Sequence, residues 1–131
     1  MKNLRYIESN KTIGKEVFQP DEGVHSMARK NHNVVAIAKK YISFLRKNKI
    51  NVERAYLYGS YANGTPHKDS DIDIVVVSPQ FRKSRFEESV RIAKLRRSID
   101  LRISPLAYHP RDFIMDNIIP HEAITQGIRI A

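Results

Sequence analysis

The chain has 131 residues, 41% of them hydrophobic, the size of one domain able to bury a core unaided; it lacks cysteine, which excludes disulfides and thiolate zinc sites. Lys plus Arg number 23 against 14 Asp plus Glu, a formal +9 that favours polyanionic partners such as nucleotides, nucleic acid or an acidic protein surface. No apolar run is long enough to span a bilayer and none resembles a secretory segment, so the expectation is a cytoplasmic protein without a membrane partner.

Residues 1–31 lack a sustained period, with Gly14, Pro20 and Gly23 between short apolar pieces, and read as an irregular arm ahead of a domain spanning 32–131. From Asn33, the positions Val34, Ile37, Ala38, Tyr41, Phe44 and Leu45 recur at helical spacing and predict a helix to about Lys47. Arg29, Lys30, Lys39, Lys40, Arg46, Lys47 and Lys49 fall in one stretch without an acid, a basic helix face. No aromatic is interleaved with them, so nucleic-acid binding is allowed but not indicated. Residues 52–58 read as a strand closed by Gly59, and 60–70 as a polar loop that begins with a short helical turn. Residues 71–77 form the most hydrophobic strand.

Beyond Ser78-Pro79, the spacing of Phe86, Val90, Ala93 and Arg97 predicts an amphipathic helix over 84–97. Apolar and charged residues then alternate over 99–103, a strand with one polar face that Ser104-Pro105 is expected to end. Pro110 opens a short helix through Met115, Pro120 opens a last helical turn ended by Gly127, and 128–130 form a short final strand.

The chemistry concentrates in YGSYANGTPHKDSDIDIVVV, residues 58–77. Side chains alternate along a strand, so Asp71 and Asp73 share a face with alpha carbons roughly 6.5 to 7 Å apart. Two such carboxylates repel unless a cation lies between them, and hard oxygen ligands suit Mg²⁺ or Mn²⁺. Asp100 stands as a third acid on an alternating strand, where Arg102 on the same face could orient it. Three acids on adjacent strands could hold two metals about 3.5 to 4 Å apart, an arrangement suited to phosphoryl chemistry. Gly59 allows close backbone approach to a ligand, and Ser60 can donate to phosphate oxygens. Spacing rejects an EF-hand, because Ile74 and Gln80 stand where Gly and Glu are required. No P-loop or GxSxG elbow is present, and the histidines are too scattered for a metal set.

Gly59-Ser60, ten residues, then Asp71-Ile72-Asp73 resembles the GS-x10-DxD signature of the polymerase β-like nucleotidyltransferases, and the compact chain resembles their minimal branch. Asp100 in "IDLRIS" and the closing "HEAITQGIRIA" are similar to further family segments. The resemblance implies an α/β (α+β) fold, a small mixed sheet flanked by helices, with Mg²⁺ (or Mn²⁺) and ATP or another nucleoside triphosphate. It implies metal and triphosphate on Asp71 and Asp73, Asp100 as the third metal-binding acid that helps activate the acceptor hydroxyl, and phosphates on Gly59 and Ser60. The implied reaction moves AMP to a hydroxyl of a protein, such as a HEPN-type RNase toxin neutralised by this chain. The alternatives are a catalytically idle binding module, or a small-molecule or nucleic-acid nucleotidyltransferase. Tyr61 and Asn63 depart from the pattern where many relatives have Arg, and Lys68 offers a replacement cation.

Overall fold

The computed structural model describes residues 22–64, 66 and 70–131, and of 22–32 the backbone alone. The first helix, α1 (Glu22–Lys47), begins eleven residues before the expected Asn33. The expected irregular arm is therefore helical from Glu22, and its earlier part lies outside the described residues. A packed helix extends outward at one hydrogen bond per residue added, and that extension needs no apolar stripe to announce it. The packed part buries Val34, Ala38, Tyr41, Ile42 and Leu45, one face at spacings of three and four. Its end is a Schellman closure: Ile50 N–H reaches Leu45 O (3.1 Å), Lys49 N–H reaches Arg46 O (3.0 Å), and Lys49 takes the left-handed φ of 67°.

There follow β1 (Arg54–Tyr58), α2 (Ser60–Asn63), β2 (Ile72–Val77), α3 (Arg85–Ala93) with a 3-10 extension Lys94–Ser98, β3 (Ile103–Tyr108), a 3-10 turn Pro110–Asp112, α4 (Ile118–Gln126) and β4 (Ile128–Arg129). The short helical turn expected after Gly59 is α2. The four strands form one mixed sheet in the order β3-β2-β1-β4, with β2 parallel to β3 and β1 antiparallel to both β2 and β4. Alternation gives the sheet two apolar faces. Ala55, Leu57, Ile72, Ile74, Val76, Ile103 and Ala107 pack with α1 and Ile92 of α3. Tyr56, Tyr58, Val75, Val77 and Tyr108 pack with Phe113 and Ala123 of α4. The Tyr41 hydroxyl donates to Ile92 O (2.7 Å) and joins α1 to α3 within the first layer. The class is thus mixed α/β, as expected, and no helix among the described residues is long and apolar enough to cross a membrane.

Two expectations change along α3 and β3. The helix expected over 84–97 starts as foreseen, with Ser84 Oγ accepting Glu87 N–H (3.1 Å), but tightens to 3-10 geometry after Ala93. The strand expected over 99–103 begins only at Ile103 and runs through Pro105 to Tyr108. Asp100 captures the Arg102 backbone N–H (2.9 Å), a local bond that competes with the sheet ladder. Proline is accommodated because β3 is an edge strand. Ile103 N–H turns outward to Asp100 O (3.2 Å) and Ala107 N–H to Ser89 Oγ (2.9 Å), so Pro105, of the same parity, lacks a donor where the ladder needs none.

Ser89→Ala leaves the N–H of fully buried Ala107 without its acceptor. Urea denaturation should show a loss of about 1–2 kcal/mol with an unchanged m-value.

Candidate active site

The strand register sets the site. Tyr58, at the end of β1, lies opposite Asp73 of β2, and Asp73 lies beside Ser104 of β3. Gly59 follows with φ 78° and ψ −153°, a region essentially closed to other residues. It also presses against Asp73: a Cβ built on Gly59 would overlap Asp73 Oδ2 and lie 3.1 Å from Cγ. The Gly-Ser turn and the second aspartate, separated by a loop in sequence, are thus in van der Waals contact. Gly59 O accepts Asn63 N–H (3.0 Å), and Gly64 in the left-handed region closes α2. Ser60 opens that turn half-buried, Tyr61 inserts into the core shared with α1, and Asn63 points to solvent. Lys68 lies outside the described residues.

Asp71 is exposed at the mouth of β2, while Asp73, two residues on, is half-buried. Burial, then the charges of Asp71 and Glu122, push the Asp73 carboxyl from 3.8 up to about 6. Among the described residues neither aspartate forms an ion pair. Concentrated negative charge that no described residue pairs fits a divalent metal on chemical grounds. No three His, Cys, Asp or Glu among the described residues are grouped to cage one. Mg²⁺ is commonly held by one or two carboxylates together with substrate phosphates, so the pair fits a metal that arrives with a triphosphate.

Asp100 sits in the turn before β3 instead of on the strand, and the expected three-acid set is not brought together among the described residues. Its carboxylate accepts from Arg102 Nε (3.1 Å), Arg102 Nη2 (2.9 Å) and the Arg102 backbone. The guanidinium holds the Asp100 carboxyl below the usual carboxylate range, and Tyr61 lies close enough to act on the Arg102 charge. Tyr61 thereby brings the Gly-Ser turn beside the arginine that holds Asp100.

Glu122 of α4 is the acid that the sequence reading missed. Its charge acts on Asp73 and also on Tyr58, whose hydroxyl is raised mainly by burial and then by Asp73. Gly127 lets the end of α4 close on β1, since a Cβ there would lie 2.8 Å from Leu57 O and overlap Ala123 O. The available signal was the one acid of the final helix, five residues before that glycine.

A model of the nucleotidyltransferase domain matches residues 38–128, and the chain belongs to that family. It is similar to protein adenylyltransferase MntA of Shewanella oneidensis, 49% identical over 39 residues that cover 30% of this chain and 28% of that protein. The chain therefore matches less than a third of that relative's length. A structure assigned as a nucleotidyltransferase, from Sulfolobus solfataricus, shares the fold at a TM-score of 0.56 and 17% identity, covering 87% of this chain and 90% of that one. A structure described as a toxin-antitoxin with AMP-PNP matches at a TM-score of 0.50 and 27% identity, covering 71% and 72%.

Two outcomes are expected at this site. Gly59→Ala forces an L residue into strained backbone and displaces Asp73, so calorimetry should show loss of nucleotide binding and thermal unfolding a destabilisation of about 1–3 kcal/mol. For Asp73 the folded value lies above the unfolded one, so the folded chain holds the extra proton between about pH 4 and pH 6. Stability without metal or nucleotide should fall as pH rises through that window. Asp73→Asn should match the parent's unfolding free energy below about pH 4 and exceed it above about pH 6, by on the order of 1 kcal/mol after solvent screening, as read by urea denaturation.

Proposed function

We propose that the protein is a divalent-metal-dependent nucleotidyltransferase that moves AMP from ATP to a hydroxyl of a partner protein. The observation that carries the reading is the contact between Gly59 and Asp73 beside Asp71, which sets a cradle without a side chain against carboxylates that form no ion pair among the described residues. Asp71 and Asp73 would hold Mg²⁺ or Mn²⁺, which when bound neutralises phosphate charge and polarises the reacting phosphoryl group. Gly59 admits phosphate oxygens to the backbone, and Ser60 offers its hydroxyl and N–H to them. The acceptor oxygen bonds to the α-phosphorus, the bond to the β-phosphate oxygen breaks, and pyrophosphate leaves. Asp100, once released by Arg102, takes the acceptor's proton. The catalytic domain is taken as 32–131, with 1–31 leading into it, in the cytoplasm where ATP and Mg²⁺ are supplied.

Similarity to a protein adenylyltransferase and to a toxin-antitoxin structure with AMP-PNP supports ATP as donor and a protein acceptor. We take a HEPN-type RNase toxin as that acceptor. A second reading, a binding module without catalysis, is favoured by one observation: Arg102 occupies both oxygens of Asp100.

Incubation with ATP labelled at the α-phosphate, Mg²⁺ and the protein of the neighbouring gene should label that protein. Asp71→Asn and Asp73→Asn should each lower the rate by more than the roughly 10–100-fold that follows loss of a metal's supporting partner. Unlabelled partner that is still neutralised by both variants would establish the binding module instead.

A further inference from the structure

Three arginines that the proposed chemistry does not use, two on the sheet and one at the start of α3, gather over rings of the sheet face that carries Asp73. Arg54, Tyr56 and Tyr58 alternate onto that face of β1, so Arg54 lies roughly 13 Å from the Tyr58 end. Tyr56 stacks on Phe113 with centroids 5.5 Å apart, and Tyr108 meets Phe113 edge-on at 5.8 Å. Arg54 lies over Phe113 at 5.1 Å, Arg85 over Tyr108 at 4.8 Å, and Arg129, the cross-strand partner of Tyr56, over that ring at 6.0 Å. Three guanidinium groups are thus fixed around one aromatic triad.

Their neutralisation within the chain is slight. Arg54 has a marginal contact with Glu53 at 4.0 Å, and among the described residues Arg85 and Arg129 form no ion pair. Arg85 Nη1 donates to the Tyr108 hydroxyl (3.0 Å) and Arg129 Nε to Ala131 O (2.9 Å), which orients each fork without cancelling its charge. Arg85 is exposed, as are Arg82 and Lys83 just before it. The rings beneath are 2–7% exposed, so they offer neither a stacking platform for bases nor an apolar anchor for a protein hot spot. The guanidinium groups above them form a pre-oriented, cationic, fork-shaped surface, bordered by exposed Phe86, Ile114 and Met115, and planar positive forks suit phosphate.

We infer that Arg54, Arg85 and Arg129 form a binding surface for the phosphodiester backbone of a nucleic acid, independent of the acceptor of nucleotidyl transfer. Recognition there is by charge and fork geometry, without reading of bases. Nucleic acid bound in this way lies around Phe113, at the end of β1 away from Tyr58 and Asp73, and leaves the basic flank of α1, packed on the other face of the sheet, outside the contact.

The test is fluorescence anisotropy of the full chain with a labelled mixed-sequence single-stranded RNA across a salt series. The expected slope of log K against log salt is about −2, from roughly 0.7 per phosphate contacted on a single strand. The triple variant Arg54→Gln, Arg85→Gln, Arg129→Gln should lose at least about tenfold in affinity and most of the slope. Lys39→Gln, Lys40→Gln, Lys47→Gln removes equal charge from α1 and should keep both. Each single arginine variant should lower the slope by about 0.7, so the result does not hang on the triple variant folding. Equal losses in the two triple variants, absence of salt-dependent binding, or displacement of the RNA by polyglutamate of equal charge would each overturn the assignment.

Discussion

A glycine backbone laid directly on a carboxylate is the constraint from which the working end of this molecule follows. For Gly59 to touch Asp73, β1 must end opposite it, the chain must turn through a backbone region that only glycine enters easily, and α2 must carry it away at once. The register of β1 on β2 is held by two apolar sheet faces, because a slip of one residue would exchange Leu57 and Ile74 for Tyr58 and Asp73 on the α1 side. The site's geometry is therefore a by-product of core packing. Its electrostatics is not: the same packing brings Asp73 under the influence of Asp71 and Glu122 with no ion pair among the described residues, which is unfavourable for the isolated chain and useful to one that receives metal and phosphate.

The distribution of arginine gives this arrangement its second layer. Arg102 is turned to Asp100, while Arg54, Arg85 and Arg129 lie over the rings of Phe113, Tyr108 and Tyr56. Tyr61 departs from the family pattern, yet it is buried in the core and neighbours Arg102. The departure thus replaces a charged side chain in the turn with one that packs the turn against the core.

The legible parts of the chain were those governed by local periodicity. The apolar run that begins at Ile72 and the glycine turn before it depend on neighbours in sequence, and the sheet places Asp73 on one face with Val75 and Val77 as alternation requires, while Asp71 stands just ahead of the strand. Asp100 was harder to place, because charged and apolar residues alternate equally well in a strand and in a turn. The outcome was decided by the bond from Arg102 N–H to the Asp100 carboxylate. Pro105 misled for a related reason: proline breaks a central strand but not an edge, and edge position is a property of the whole sheet. Glu122 could not be read at all, since only the docking of α4 on β1 brings it to Asp73. The onset of α1 was missed because an extending helix carries no apolar signature.

Pro105 has one more consequence. An open sheet presents two borders to which a foreign strand could pair, and such borders seed aggregation. On the β3 border, Pro105 has no N–H to offer and the neighbouring outward donors are consumed by Asp100 O and Ser89 Oγ. On the other border β4 is only two residues long. A protein this rich in valine and isoleucine strands is thereby kept from templating fibrils, and it is left free to meet other molecules through its faces instead of its margins.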